Sequence, residues 1–278
     1  MKRFIFFALP LLLIAAACQS AGGSQSQSLN IDYPNADVVT INLNTTDGQV
    51  TVNPADTSGV HGTVTTNIGA WQATNTTSGS SISITQGSSG ADVIPNAQNS
   101  WDLQIGKGKA LILNHTNTAA NTTLHLGGLM LTQMNVTATS GDYTLRYDTP
   151  NPASDGGTSS LQLTNGTVDA AGLVNSHLSS LAITTRGGNV ALGFDGGTLT
   201  QNMSVSINTQ DGDVLLKIPT GIAAQVTYIS PSGTAQEVDP QFTKVNNITY
   251  TLGNYAATTP HLTIDIRSIV GDLRLAGA

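Results

Sequence analysis

The side chains best placed for chemistry are carboxylates and amides beside glycines: Asp47 before Gly48, Asp142 after Gly141, Asn189 after Gly188, Asp211 and Asp213 around Gly212, and Asp272 after Gly271. Carboxylates stacked at successive turns bind calcium in some repeat proteins, which makes Asp211-Gly212-Asp213 a candidate. An ion ladder needs the same oxygen in every turn, and the set reads as too mixed for that. The simpler expectation is that Asp or Asn hydrogen-bonds the backbone of a turn whose glycine takes positive φ. The histidines, His61, His115, His125, His177 and His261, stand at no metal-ligand spacing, so no metal is expected. Gly87-Ser88-Ser89-Gly90 lacks the Gly-x-Ser-x-Gly order of a nucleophile elbow, and Gly106-Lys107-Gly108-Lys109 lacks the gap and the Ser or Thr of a phosphate loop. No catalytic residue and no cofactor are therefore expected. Two indoles offer flat faces to a sugar. Trp101 alternates with Leu103 and Ile105 and reads as core, whereas Trp71 lies in a polar stretch and is the possible ligand contact.

Cys18 is the only cysteine and cannot form an internal disulfide. It ends a segment of secretory order: Met1-Lys2-Arg3, an apolar run from Phe4 to Ala17, then the cysteine. That run is shorter than the roughly 20 residues a membrane-crossing helix needs. Ile14-Ala15-Ala16-Ala17-Cys18 resembles the lipobox of bacterial lipoproteins, with Ala15 where Leu is preferred. The resemblance implies a signal peptide over residues 1–17 and a diacylglycerol on Cys18, hence attachment to a membrane. Residues 19–28 contain only Ser, Gln, Gly and Ala, so 18–28 is expected to be a flexible tether.

The chain has 278 residues, enough for a substantial core, and only 10% are charged. Its formal charge is −7, and the ten basic residues fall to eight against 17 acidic ones once Lys2 and Arg3 leave with a signal. Phosphate binding needs clustered cations, and the closest pair is Lys107 and Lys109, so no nucleic-acid partner is expected.

The elements that position these groups are strands. From Leu29 onward apolar and polar residues alternate in short runs broken by Gly, Asn and Asp. Six copies of strand, glycine turn and strand can be read: Val39-Ile41-Leu43 with Gly48 and Val50-Val52; Val136-Ala138 with Gly141 and Tyr143-Leu145; Leu161-Leu163 with Gly166 and Val168; Leu181-Ile183 with Gly188 and Val190-Leu192; Val205-Ile207 with Gly212 and Val214-Leu216; and Leu262-Ile264-Ile266 with Gly271 and Leu273-Leu275. Glycines 141, 166, 188 and 212 are 25, 22 and 24 residues apart, the period of one supersecondary layer per repeat. The expected fold is all-β, a β-solenoid-like stack of short strand-turn-strand repeats, with an N-terminal β segment over 29–105 and the β-repeat domain over 106–278.

The order of these pieces resembles the bacterial "putative adhesin" β-repeat families, and within them the toast-rack lipoproteins, from about residue 30 to 275. Asn99-Ser100-Trp101-Asp102-Leu103, then Leu124-His125-Leu126-Gly127-Gly128-Leu129, then Ser140-Gly141-Asp142-Tyr143 resemble that family's Trp-containing strand, its Leu-Gly-Leu segment and its Gly-Asp turn. Ile218-Pro219-Thr220-Gly221, Phe242, Tyr250, Tyr255 and Ile264-Asp265-Ile266 with Gly271-Asp272-Leu273 resemble its closing layer. The chain departs where the family has Gly-x-Gly turns and over Gly69 to Gln98. The resemblance, which extends to the C-terminal domain of cell-wall-active antibiotic response proteins, implies an all-β envelope protein and brings no catalytic residues. The expected function is an exported lipoprotein displaying a non-catalytic β-repeat for adhesion, assembly or envelope sensing, with an envelope glycan or protein as partner. The alternative is a carbohydrate-active β-helix enzyme, which requires a pair of carboxylates in a concave face.

Overall fold

The computed structural model describes residues 22–88, 90, 94–152, 156–232 and 236–277. The chain opens with β1 (Gln25–Ile31), β2 (Val38–Thr45), β3 (Gln49–Ala55) and β4 (Val60–Thr66), a 3-10 turn at Gly69–Trp71, then β5 (Ala73–Ser78), β6 (Ser81–Gln86) and β7 (Asn99–Gly106). Five strand pairs follow: β8 (Ala110–Asn117) with β9 (Asn121–His125), β10 (Met130–Ala138) with β11 (Tyr143–Arg146), β12 (Gly157–Asn165) with β13 (Val168–Ala171), β14 (Leu178–Gly187) with β15 (Val190–Gly193), and β16 (Met203–Asp211) with β17 (Val214–Ile218). The closing elements are β18 (Ala224–Ile229), β19 (Gln236–Val238), β20 (Thr243–Lys244), β21 (Thr249–Leu252), β22 (Leu262–Val270) and β23 (Leu273–Gly277).

Period-two alternation dictates the packing. In β2, Val39, Ile41 and Leu43 point inward and are buried, while Thr40, Asn42 and Asn44 face out. Each repeat places its first strand in one sheet, turns at the glycine, and places its second strand in the other. Among the described residues this makes a 12-stranded sheet, β20-β21-β18-β22-β16-β14-β12-β10-β8-β2-β6-β5, facing an 11-stranded one, β1-β4-β7-β3-β9-β11-β13-β15-β17-β23-β19. Neighbouring layers are parallel and in phase: Val136, Leu161, Ile183, Ile207 and Ile266 lie side by side in one inward row. The expected all-β, β-solenoid-like stack is what forms, and every inward residue of the six sequence repeats is buried.

The glycines are forced by layer spacing. Gly188 and Gly212 have φ of 120° and 140°, values that L side chains avoid. A Cβ on Gly188 would sit on the carbonyl oxygen of Gly166, and one on Gly212 on that of Gly188. The layers thus approach too closely at the turn for any side chain.

Sequence order and spatial order part at three places. A seventh layer, β8 with β9, escapes the glycine pattern because its turn is Thr118-Ala119-Ala120. The Asn117 side chain replaces the glycine there, donating to Ala120 O at 2.6 Å and accepting from Ala120 N at 2.8 Å. Between β17 and β22 the chain leaves the stack, forms β18 to β21, and returns so that β22 lies between β16 and β18. At the other end β4 and β7 intervene between β1 and β3, pairing antiparallel with each other.

Two expected boundaries change. The tether was expected to run to Ser28, but strand pairing begins at Gln25, where β1 runs antiparallel to β4 and the Gln27 amide is held by both backbone groups of Ala73. Residues 29–105 and 106–278 share both sheets and one hydrophobic core that runs from Leu29 to Leu275, because β9 pairs with β3 and β8 with β2. The signal peptide over 1–17 and Cys18 lie outside the described residues.

Candidate functional site

The carboxylates and amides beside the glycines form one row along the turn edge of the stack. Asn121 Oδ1 accepts from Asp142 N at 3.0 Å, and Asp142 Oδ1 accepts from Thr167 N at 2.9 Å and Thr167 Oγ1 at 2.8 Å. Asn189 Oδ1 accepts from Asp213 N, and Asp213 Oδ1 from Asp272 N, both at 2.8 Å. Each member directly follows its turn glycine, or Ala120 in the glycine-free layer, so the row is more regular than the mixed offsets read from sequence. Asp47 is the outlier, binding only Gly48 N next to it at 2.6 Å. These oxygens tie neighbouring layers in two runs, Asn121 to Asp142 to Thr167 and Asn189 to Asp213 to Asp272, by charge-assisted or amide hydrogen bonds. Among the described residues no three His, Cys, Asp or Glu side chains converge as a metal site. Asn121 went unread because its turn carries no glycine.

The other sequence candidates separate. Trp71 is 6% exposed and packs with Ile68 and Ile94 in a small cluster outside the main core, so it offers no open ring face and its part as a ligand contact is corrected to packing. The polar neighbours that suggested exposure, Gln72 and Thr74 to Ser78, follow the 3-10 turn and lie outward on and before β5. Trp101 is core, with Nε1 donating to Asn99 Oδ1 at 3.1 Å. Lys107 pairs with Asp56 at 3.0 Å and Lys109 donates to Ala36 O at 2.8 Å, which leaves no joint cation site. Asp213 and Asp272 do share a concavity of about 510 Å³ with Glu237 and Arg274. Asp213 is engaged there by the Asp272 backbone, and Glu237 by Arg274 Nε at 3.4 Å.

His115 is the polar member of an apolar inward row, between Leu43 and Val136, and is 1% exposed. Thr45 Oγ1 donates to Asn117 Oδ1 at 3.3 Å, so its oxygen accepts from His115 Nε2–H at 2.9 Å, and Nδ1 is left to accept from the Tyr143 hydroxyl at 3.3 Å. Burial holds the imidazole neutral, lowering its pKa to about 4, and pushes the Tyr143 hydroxyl up to about 12. This is a satisfied core network without an opening to solvent.

Residues 20–153 match the family model of the N-terminal domain of toast_rack. Over that span, just under half of its length, the chain is similar to the toast-rack family. The matched span contains β1 to β11, and thus the antiparallel end of the stack and its first parallel layers. The crystal structure of a "putative cell adhesion protein" from Clostridium sporogenes, 13% identical, covers 92% of this chain and 100% of its own at a TM-score of 0.50, a likeness of fold. A "putative adhesin" from Bacteroides fragilis, 10% identical, covers 91% of this chain and 97% of its own at a TM-score of 0.42. No curated protein matches the sequence. None of the described helices is long and apolar enough to cross a membrane.

Proposed function

We propose that this protein is an exported lipoprotein, anchored through a lipid on Cys18, that displays a non-catalytic β-stack at the cell envelope for adhesion or assembly. The observation that carries the reading is the turn row. The side chains with the most chemical potential, Asp142, Asn189 and Asp213, are engaged in joining layer to layer. A general acid and base need free carboxylates facing a substrate. The likeness of fold to a protein described as a cell adhesion protein supports the same reading, as does the secretory order of residues 1–18.

The test is incubation of the purified chain with wall glycans, reading retention and released fragments together. Retention without fragments is expected. Fragments that disappear in Asp213→Asn or Asp272→Asn, the carboxylates of the 510 Å³ concavity, would replace this proposal with the hydrolase.

A further inference from the structure

The outward face of the larger sheet is almost free of charge. On β2, β8, β10, β12, β14, β16 and β22 the exposed positions within the strands carry mainly Thr, Ser, Asn, Gln and small or aliphatic residues, with four charged exceptions: Arg186, Asp211, Asp265 and Arg267. On the other sheet the arginines are neutralised in place, Arg146 by Asp169 and Arg274 by Glu237. Among the described residues no carboxylate pairs with Arg186, whose Nε donates to Gln210 Oε1 at 3.2 Å, and none pairs with Arg267. In an acidic chain with few cations, two exposed guanidinium groups that form no ion pair with the carboxylates near them are groups open to an anion.

Their surroundings form a groove. Parallel register sets Arg186, Gln210 and Ile269 in one row across β14, β16 and β22, and Asn208, Arg267 and Ile229 in a second across β16, β22 and β18. Two concavities of about 550 and 620 Å³ share Arg186, Gln210 and Ile269 and join across the strands. Pro231 forms a lip, its neighbour Ser232 donating to the Ile269 carbonyl oxygen. Ile229 and Ile269 are 42% and 51% exposed and give the groove an aliphatic wall. From strand spacing and rise the two arginine Cα atoms lie about 12 Å apart.

We propose that this groove binds a linear glycan bearing carboxylates, a uronate polymer. Each guanidinium takes a carboxylate as a fork, the Asn208 and Gln210 amides serve ring hydroxyls, and the aliphatic wall packs against the C–H face of the sugar. The groove runs along the stacking direction, over a flat floor that admits an extended unbranched chain. An acidic peptide is disfavoured because β14, β16 and β22 are each paired on both sides, leaving no backbone edge for strand addition. Asp265, two positions before Arg267 on the same face, and Asp211 at the rim add negative charge beside the arginines, so a bound anion has to engage both guanidinium groups to offset it. The groove, centred on β16, lies seven strand steps from β5 at the opposite end, or roughly 35 Å away. The proposal rests on the display reading for its biological sense and stands apart from it in its test.

The test is affinity electrophoresis of the full chain in mild detergent through gels containing polygalacturonate, its carboxyl-reduced neutral form, or poly-glutamate. Retardation by polygalacturonate alone, weakening with salt and lost by tenfold or more in Arg186→Gln with Arg267→Gln, is expected. Arg274→Gln, on the other sheet, should leave it unchanged. Absence of retardation, equal retardation by poly-glutamate, or insensitivity to the double substitution overturns the proposal. Unchanged melting of the double variant shows that it folds. Cleavage of the polymer would bear instead on the non-catalytic reading and leave the site in place.

Discussion

Asp142 supplies one oxygen to two donors of the next layer, Thr167 N and Thr167 Oγ1. Replacing it with Ala leaves a backbone N–H at the turn without its partner, and the expected loss is about 1 to 2 kcal/mol in chemical denaturation, with Asp142→Asn retaining most of it. His115 is expected to make the fold sensitive to acid. Its folded pKa is depressed to about 4 from the ordinary 6.5, so the unfolded chain binds the proton first as pH falls. Stability from this group is complete above about pH 6.5 and is lost progressively down to about pH 4, a loss of about 3 kcal/mol at 1.36 kcal/mol per unit. His115→Gln should flatten the dependence of melting on pH within that window, and an unchanged slope would assign the acid sensitivity elsewhere.

At the scale of the element, the turn glycine is the unit of construction. Gly188→Ala forces a side chain into positive φ and onto the Gly166 carbonyl. It should cost about 2 kcal/mol or more, whereas Gly221→Ala, with open space around it, should be near neutral by thermal melting. The same glycines made six layers legible in the sequence, since alternation plus a compulsory glycine leaves few other readings. The β8–β9 layer was hidden because Asn117 does by hydrogen bonds what glycine does by conformation. The placement of β22 between β16 and β18 was hidden too, because alternation tells which face is inward and not which neighbour a strand will choose. The turn carboxylates could be located from sequence, but their donors could not, as each donor belongs to another layer. Trp71 misled for a related reason: its polar neighbours say nothing of Ile94 folding back upon it. Arg186 and Arg267 looked like ordinary outward residues until register set them two strands apart on one face.

Across the whole molecule, both ends of the stack are closed by antiparallel hairpins, β1 with β4 and β7 at one end and β18 with β21 and β20 at the other. The outermost strands are brief or polar: β19 and β20 have three and two residues, and β5 is exposed along nearly all its length. Such ends resist edge-to-edge growth and suit a stack that works as one copy held out in solvent. The described chain enters beside β4, where Gly22 N donates to Asn67 O at 2.9 Å, so the proposed attachment would fall at one end and the arginine groove toward the other. Display from a lipid on Cys18 is therefore the central claim, and its most direct measurement follows the protein in intact cells carrying either the native chain or Cys18→Ser, with added protease. The account predicts that the native chain sediments with cells or membrane vesicles, takes up a labelled fatty acid and is digested from outside once the envelope's outer barrier is opened, while Cys18→Ser takes up no label and is released in soluble form. A Cys18→Ser chain that stays membrane-bound, or a native chain that remains in the cytoplasm and protected, would contradict it.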